Sequence, residues 1–314
     1  MKKIPCDICG TVDFEKVFMQ KDVRIKRDGA DEFLVVRCKN CGLVCTDQLA
    51  IPEDISTYYV EQYFSQSKRL NNILFFLKKI KTFFLTEKPT GKFFRKRKQF
   101  FGKSQGNYLN IGCATGVLEK FLIKQFPGWK FYGVEPDRFA YEEANKIEDF
   151  NVKCGVLEES GFGEKFFDLI LLNQVLEHVP GPSAVLVECF RILKDDGILI
   201  IAVPNFDSLG EKVFEENWYH LDLPRHLFHF NKKTLNKMLE RAGFFQEKIE
   251  NEVLFGSFFK SILIKRKLDS EKYNKIISFF VLIFDSFPFF YTPVELFFGG
   301  GLFSVFKKKY AKTS

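Results

Sequence analysis

The rhythm of apolar positions changes at Asn107. Downstream of it, short runs of β-branched and aromatic residues alternate with amphipathic stretches. This pattern predicts a mostly parallel sheet flanked by helices, an α/β fold. Strands are predicted at Tyr108–Ile111, Lys130–Val134, Asp168–Leu172 and Ile198–Val203, with helices near 117–126, 137–147 and 183–193 between them. An irregular stretch, 204–230, follows and holds three of the four histidines. Asn231 then caps a helix through about Arg241, Gly243 ends it, and Phe244–Glu250 reads as a further strand.

Upstream of Asn107 the first fifty residues show little helical periodicity. A helix is predicted over 54–64, with Ile55, Tyr59 and Tyr63 on one face; Tyr58 and Tyr59 either close over a ligand or pack. Residues 68–103 place Leu70, Ile73, Leu74, Leu77, Ile80 and Phe84 at helical spacing among lysines. The last sixty residues are aromatic-rich. Their longest uncharged apolar run, Ile276–Phe284, is too short for a membrane-spanning helix, and the N-terminus lacks the apolar stretch of a secretory signal. A cytoplasmic location is expected.

Composition adds two things. Hydrophobic residues make up 46% of the 314, enough for a sizeable core, and 40 are Phe. The net charge of +7 is concentrated: residues 68–103 carry twelve Lys or Arg against the single acid Glu87, leaving the remainder mildly acidic. A partner with negative charge would be met locally. Three readings fit this basic, Phe-studded stretch: an amphipathic surface on an anionic membrane, assisted by 276–306; an RNA-binding surface; or a linker helix packed on the domain.

The cysteines carry the clearest chemistry. Cys6-Asp-Ile-Cys9-Gly10 and Cys38-Lys-Asn-Cys41-Gly42 are two knuckles of one pattern, each a tight turn aiming two thiolates at one point. Four thiolates suit tetrahedral Zn²⁺ and leave no open position, so the expected role of Cys6, Cys9, Cys38 and Cys41 is structural. Cys45 reads as a spare buried thiol or a substitute ligand, and Cys113, Cys154 and Cys189 as small apolar residues.

Asn107–Gly116 is a strand running into a Gly-containing turn and then a helix, a geometry that brings backbone N–H groups to a bound anion or zwitterion. Nineteen residues after Gly116, the next strand ends at Glu135, where a carboxylate can accept from two vicinal ribose hydroxyls.

Leu109–Gly116, Gly133–Asp137 and Phe167–Pro180, with its phrase Leu176-Glu177-His178-Val179, together resemble the class I S-adenosylmethionine-dependent methyltransferases over roughly 105–250. The resemblance implies a Rossmann-like sheet and S-adenosylmethionine as cofactor. It places Gly112, Ala114 and Gly116 along the methionine portion, Glu135 on the ribose, and Val156 and Leu157 beside adenine; Cys113, Pro136 and Asn173 complete the expected contacts. Three positions depart from the family pattern. Asn110 stands where an Asp is usual, and Ala114 replaces a glycine, which a negative φ would tolerate. Val156 replaces an acid, so that Glu158 would serve adenine instead.

The cysteine knuckles ahead of such a domain are similar to those of bacterial deoxysugar C-methyltransferases and related enzymes of saccharide and natural-product clusters. Those enzymes often carry a further C-terminal domain for which this chain is short, so O-methylation is expected. The acceptor implied is a small-molecule or lipid-linked saccharide. The segment Asn173-Gln174-Val175-Leu176 lacks the Pro-Pro-aromatic text of enzymes that methylate exocyclic base amines. His226, then His220, are the expected general bases, since 204–230 falls over the acceptor end of the sheet; His178 is a third candidate, and His229 is read with them as lid packing. The expected organisation is a zinc-ribbon-like module (1–50), a basic helical linker (51–104), the methyltransferase domain (105–250) and an extension completing the sheet (251–314). An RNA methyltransferase and a non-catalytic zinc adaptor with a degenerate fold are the alternatives.

Overall fold

A computed structural model describes residues 4–23, 32–47, 99–252, 254, 257–266 and 300–309. Two sheets form the framework. The larger has seven strands in the order β10-β11-β8-β7-β4-β5-β6. It comprises β4 (Gly106–Ile111), β5 (Trp129–Glu135), β6 (Phe150–Cys154), β7 (Phe167–Asn173), β8 (Leu193–Pro204), β10 (Phe244–Glu252) and β11 (Gly301–Lys308). Strands β4 to β8 run parallel, and β11 is antiparallel to both β8 and β10. The central β7 reads Phe-Asp-Leu-Ile-Leu-Leu because both of its faces are covered, which favours a continuous apolar run over alternation.

The two faces carry separate cores. On one, Tyr108, Leu169, Leu171 and Ile200 pack against Leu122 of α1 (Val117–Gln125) and Ala144 of α2 (Arg138–Ala144). On the other, Leu109, Ile111, Ile170 and Leu172 meet Leu186 and Cys189 of α3 (Pro182–Ile192) and Leu235 and Met238 of α5 (Lys232–Arg241). Helix α4 (Leu209–Phe214) follows β8, and α6 (Ser257–Lys265) follows β10. Asn231 caps α5 in a full capping box with Thr234.

The smaller sheet is antiparallel, in the order β1-β2-β3-β9: β1 (Phe14–Lys21), β2 (Glu32–Cys38), β3 (Val44–Thr46) and β9 (Phe228–His229). Its last strand belongs to the segment after β8, so the cysteine module and the larger domain share a sheet. They share a core as well, with Cys6, Ile8, Leu43 and Cys45 in the same cluster as Leu227, Phe228 and Leu235.

Several expectations are corrected here. The strand β6 was not predicted; its Phe-Asn-Val-Lys-Cys text alternates weakly because it is an edge strand. The stretch 204–230 contains α4, two 3₁₀ turns and β9 rather than irregular chain alone. Cys154 is exposed at the end of β6, whereas Cys113 and Cys189 are buried. The helix expected at 54–64, with Tyr58 and Tyr59, lies outside the described residues, as do 68–98 and 276–299. Of the basic segment, the described end packs on the domain. Phe101 is buried against Phe126 and Trp129, and Lys103 bonds Asp168 and Asp196 at 2.9 Å each. Of the aromatic segment, Leu302, Phe303, Val305 and Phe306 are buried in β11. Among the described residues no helix is long and apolar enough to cross a membrane.

Candidate functional site

The carboxyl ends of parallel β4, β5, β6 and β7 lie along one edge, where ligands of open α/β sheets bind. The turn after β4 begins at Gly112 and ends at Gly116, both with φ +68°. A Cβ on Gly112 would come within 2.5 Å of Val175 Cγ2, and one on Gly116 within 2.6 Å of Ile147 Cδ1. Both positions therefore need glycine on two counts, conformation and space. Ala114, exposed between them, has φ +48°. The negative φ that would have made alanine comfortable there is not adopted, and the turn holds an L-residue in the left-handed region.

What holds the turn is Glu135. Its two carboxylate oxygens accept from the Ala114 N–H (2.8 Å) and the Asp137 N–H (2.9 Å), tying the β4 turn to the tip of β5. Burial raises its pKa, and these two N–H bonds counter the rise. Each oxygen keeps a second lone-pair direction, so the same carboxylate can accept from a ribose diol. Asn173 ends β7 half-buried; Leu157 is buried at the foot of the β6 turn, while Val156, Glu158 and Pro136 are exposed. Cys113 is buried. A Cβ on Gly133 would sit 2.7 Å from its sulfur. Glycine backbone, a carboxylate able to accept from a ribose diol and an apolar flank fit S-adenosylmethionine along this edge.

Beneath the turn lies a group that the sequence reading passed over. Glu119 of α1 is fully buried and accepts from Asn110 Nδ2 (2.7 Å) and the Tyr108 hydroxyl (3.1 Å). The carboxyl that the family places on β4 is absent at Asn110, and one from α1 occupies the same neighbourhood. Glu119 Oε2 and Asn110 Oδ1 have no hydrogen-bond partner. Burial pushes the Glu119 carboxyl up to about 7. The folded chain thus keeps a proton that the unfolded chain releases near 4.5. The stabilisation is complete below pH 4.5 and is lost as pH rises through 7, on the order of 3 kcal/mol. We predict that Glu119→Gln removes this loss, its amide donating to Asn110 Oδ1. Between pH 4.5 and 7 the melting temperature of the parent should fall relative to that of the variant; parallel curves over that window would refute the assignment.

Beside the β4 turn, two segments interlock. Leu227 N and Phe228 N donate to the Glu177 carbonyl at 2.8 and 3.1 Å, and His178 Nδ1 bonds the Arg225 carbonyl at 3.0 Å. His226 Nδ1 bonds the His220 carbonyl at 2.8 Å. The His178 and His226 rings meet edge to face, 4.5 Å between centroids. Because Val175 touches Gly112, this segment abuts the cofactor turn. His220 turns its ring elsewhere: Nε2 bonds Ser257 Oγ of α6 at 2.6 Å, and the ring packs on Trp218. His229 is buried in β9, where desolvation pushes it down to about 3, so it is neutral.

Arg225 was not singled out by sequence, although it sits next to His226. It is wholly buried, bonded through both terminal nitrogens to Asp22 (2.8 Å each) and through Nε to Asp222 (2.8 Å). Thr46 completes the seam, its hydroxyl donating to the His226 carbonyl (2.7 Å) and its N–H to the Leu227 carbonyl (3.0 Å). The signal available in sequence was an Arg three residues after Asp222 in a largely apolar stretch, but its other partner, Asp22, lies 203 residues away.

The four cysteines converge. Sγ–Sγ distances are 3.5 Å for Cys6–Cys41 and for Cys9–Cys38, and all four sulfurs lie within 4.8 Å of one another. Tetrahedral Zn–S bonds of about 2.3 Å require sulfur edges near 3.8 Å, so the cluster fits Zn²⁺. Each knuckle closes through a glycine of positive φ, Gly10 (+74°) and Gly42 (+83°), whose N–H returns to the first cysteine carbonyl. Cys45 is not part of the group; burial pushes its thiol to about 12.

Residues 85–247, just over half of the chain, match the family model described as a methyltransferase domain. An uncharacterized methyltransferase of Schizosaccharomyces pombe is 26% identical over 130 residues, covering 38% of this chain and 46% of that protein. A ubiquinone biosynthesis O-methyltransferase of Rhodopseudomonas palustris is 27% identical over 165 residues, 50% of this chain and 64% of its own. The aligned region is thus between about half and two thirds of those relatives' length. Among solved structures, a putative sarcosine dimethylglycine methyltransferase from Galdieria sulphuraria superposes with a TM-score of 0.50 at 18% identity, over 70% of this chain and 85% of that one, which shows the shared fold. The chain belongs to the methyltransferase-domain family, the class I S-adenosylmethionine-dependent methyltransferases.

Proposed function

We propose that this chain transfers a methyl group from S-adenosylmethionine to a hydroxyl of a small-molecule acceptor, and that the acceptor is a saccharide, free or lipid-linked. The observation that carries the transfer is the edge on which the Glu135-braced turn and the His178–His226 pair stand side by side. Oxygen as the methylated atom is supported by the relatives named as O-methyltransferases. The saccharide is supported by the likeness of the cysteine knuckles to those of saccharide-cluster enzymes. The same O-methyltransferase relatives favour a phenolic, quinone-like lipid as the second reading.

The cofactor's sulfonium supplies an electrophilic methyl for in-line displacement. This chain's own work is to orient and to move a proton. Glu135 fixes the turn and the ribose together, so the methyl is presented from a rigid edge. Both imidazoles donate Nδ1–H to backbone carbonyls, the tautomer in which Nε2 carries the lone pair able to take the acceptor proton. His226 is the base in this reading. His220 and Ser257 brace the segment from α6.

The test is transfer of isotopically labelled methyl from the cofactor to three acceptor sets: nucleotide-linked and lipid-linked sugars, catechol-type lipids, and RNA. Label in a sugar hydroxyl is expected, with His226→Ala lowering kcat by roughly 10²–10⁴ while S-adenosylhomocysteine affinity holds. Label in catechol lipids would transfer the proposal to the second reading. Label in RNA alone, or in nothing, would refute a small-molecule acceptor. Retention of the labelled protein on anionic vesicles checks whether the basic segment 68–103 and residues 276–306 make a peripheral membrane contact.

A further inference from the structure

Glu177 is the most anomalous side chain among the described residues. It is 1% exposed, and neither of its carboxyl oxygens has a hydrogen-bond partner. A carboxylate taken out of water without a donor or a cation is strongly unfavourable, so it is either protonated or neutralised by something bound. What surrounds it points to the second. One ligand-capable atom each from Glu177, His178 and His226 lie within 4.8 Å of one another.

The imidazoles are set as metal ligands are. Ligating histidines hold their remote N–H on a carbonyl or carboxylate, which fixes the tautomer and aims the other nitrogen. Here His178 Nδ1 is on the Arg225 carbonyl and His226 Nδ1 on the His220 carbonyl. Those carbonyls lie in one segment, itself bonded back to the Glu177 carbonyl by Leu227 and Phe228. All three side chains therefore stand on one cross-linked frame. Asp222 adds an outer carboxylate 3.8 Å from His226 Nε2, and is itself anchored by Arg225.

We propose that Glu177, His178 and His226 form a binding site for a divalent transition-metal cation, distinct from the four-cysteine zinc site. Two imidazoles and one carboxylate are borderline ligands that leave coordination positions open, which suits Mn²⁺, Fe²⁺, Co²⁺ or Zn²⁺ in a reactive rather than structural role. Placed at the acceptor end, a cation here would lower the pKa of an acceptor hydroxyl and orient it, and in the loaded site would take the place of the base role that His226 Nε2 has when no cation is bound. That consequence rests on the methyltransferase reading above; the site itself does not.

Co²⁺ is the probe, added to zinc-replete full-length protein with absorption spectra and equilibrium dialysis as readouts. The expected result is tight binding with d–d absorption but no sulfur-to-cobalt charge transfer, since exchange into the cysteine cluster would announce itself by that band. Glu177→Gln, nearly isosteric, should weaken Co²⁺ by roughly 100-fold or more, with zinc content and S-adenosylhomocysteine affinity unchanged. His178→Ala, at a half-buried position, supplies a second variant should the first not fold. No cobalt beyond the cysteine cluster, or equal affinity in both variants, would overturn the site and leave Glu177 as a protonated buried acid. Protein that binds S-adenosylhomocysteine but no cobalt sinks this inference alone; protein that binds neither sinks the methyltransferase reading too.

Discussion

Arg225→Met should destabilise the protein by about 3–5 kcal/mol, lowering its melting temperature by roughly 10 °C, and should abolish methyl transfer. The guanidinium and both partner carboxylates are at most 1% exposed. Removing the cation leaves Asp22 and Asp222 buried with no countercharge, and neither can regain water without opening the seam. Arg225→Lys should recover little, because one ammonium cannot reproduce the paired bonds to Asp22 and the Nε bond to Asp222. Combining Arg225→Met with Asp22→Asn and Asp222→Asn should restore much of the stability, since no charge is then stranded. Denaturant titrations of the single and triple variants decide the matter. Equal losses in both would show that Arg225 contributes packing alone.

This seam explains why a cysteine module stands ahead of a methyltransferase sheet. β3 pairs with β9, Thr46 holds the His226 and Leu227 carbonyl region, and Asp22 reaches Arg225. Asp7 does the same for α3, accepting from Ser183 N at 2.9 Å and, through its carbonyl, from the Ser183 hydroxyl. Zinc held by Cys6, Cys9, Cys38 and Cys41 would thus fix one side of the segment that carries His226.

Much of the domain was legible in the sequence, for identifiable reasons. The strands β4, β5, β7 and β8 are buried on both faces and read as dense apolar runs; the glycines of the β4 turn and Glu135 stand at fixed spacing along one chain segment. The cysteine knuckles were legible because the ligands come in local pairs. What escaped is non-local. Glu177 was visible only as part of a family phrase, since its burial depends on a segment some fifty residues later. Arg225 required Asp22 to be placed beside it. Glu119 required α1 to be laid against β4, which also shows why Asn110 is tolerated in place of an acid. Ala114 inverted its expectation because φ belongs to the turn as a whole, and Glu135 fixes that turn.

Cofactor binding at this edge depends on the Glu135 carboxylate. Calorimetric titration of zinc-replete protein with S-adenosylhomocysteine, set beside Glu135→Ala, tests it most directly. Glu135 is expected to accept from the ribose hydroxyls while holding the Ala114 and Asp137 N–H groups, so truncation removes charge-assisted bonds and the brace together. Two such bonds at about 1.5 kcal/mol or more each correspond to a loss of roughly 100-fold in affinity or greater. Micromolar binding by the parent, lost on Glu135→Ala at unchanged zinc content, is the predicted result. Folded, zinc-replete parent protein that takes up no S-adenosylhomocysteine, or a variant that binds it as tightly as the parent, would contradict the assignment of this edge as the cofactor site.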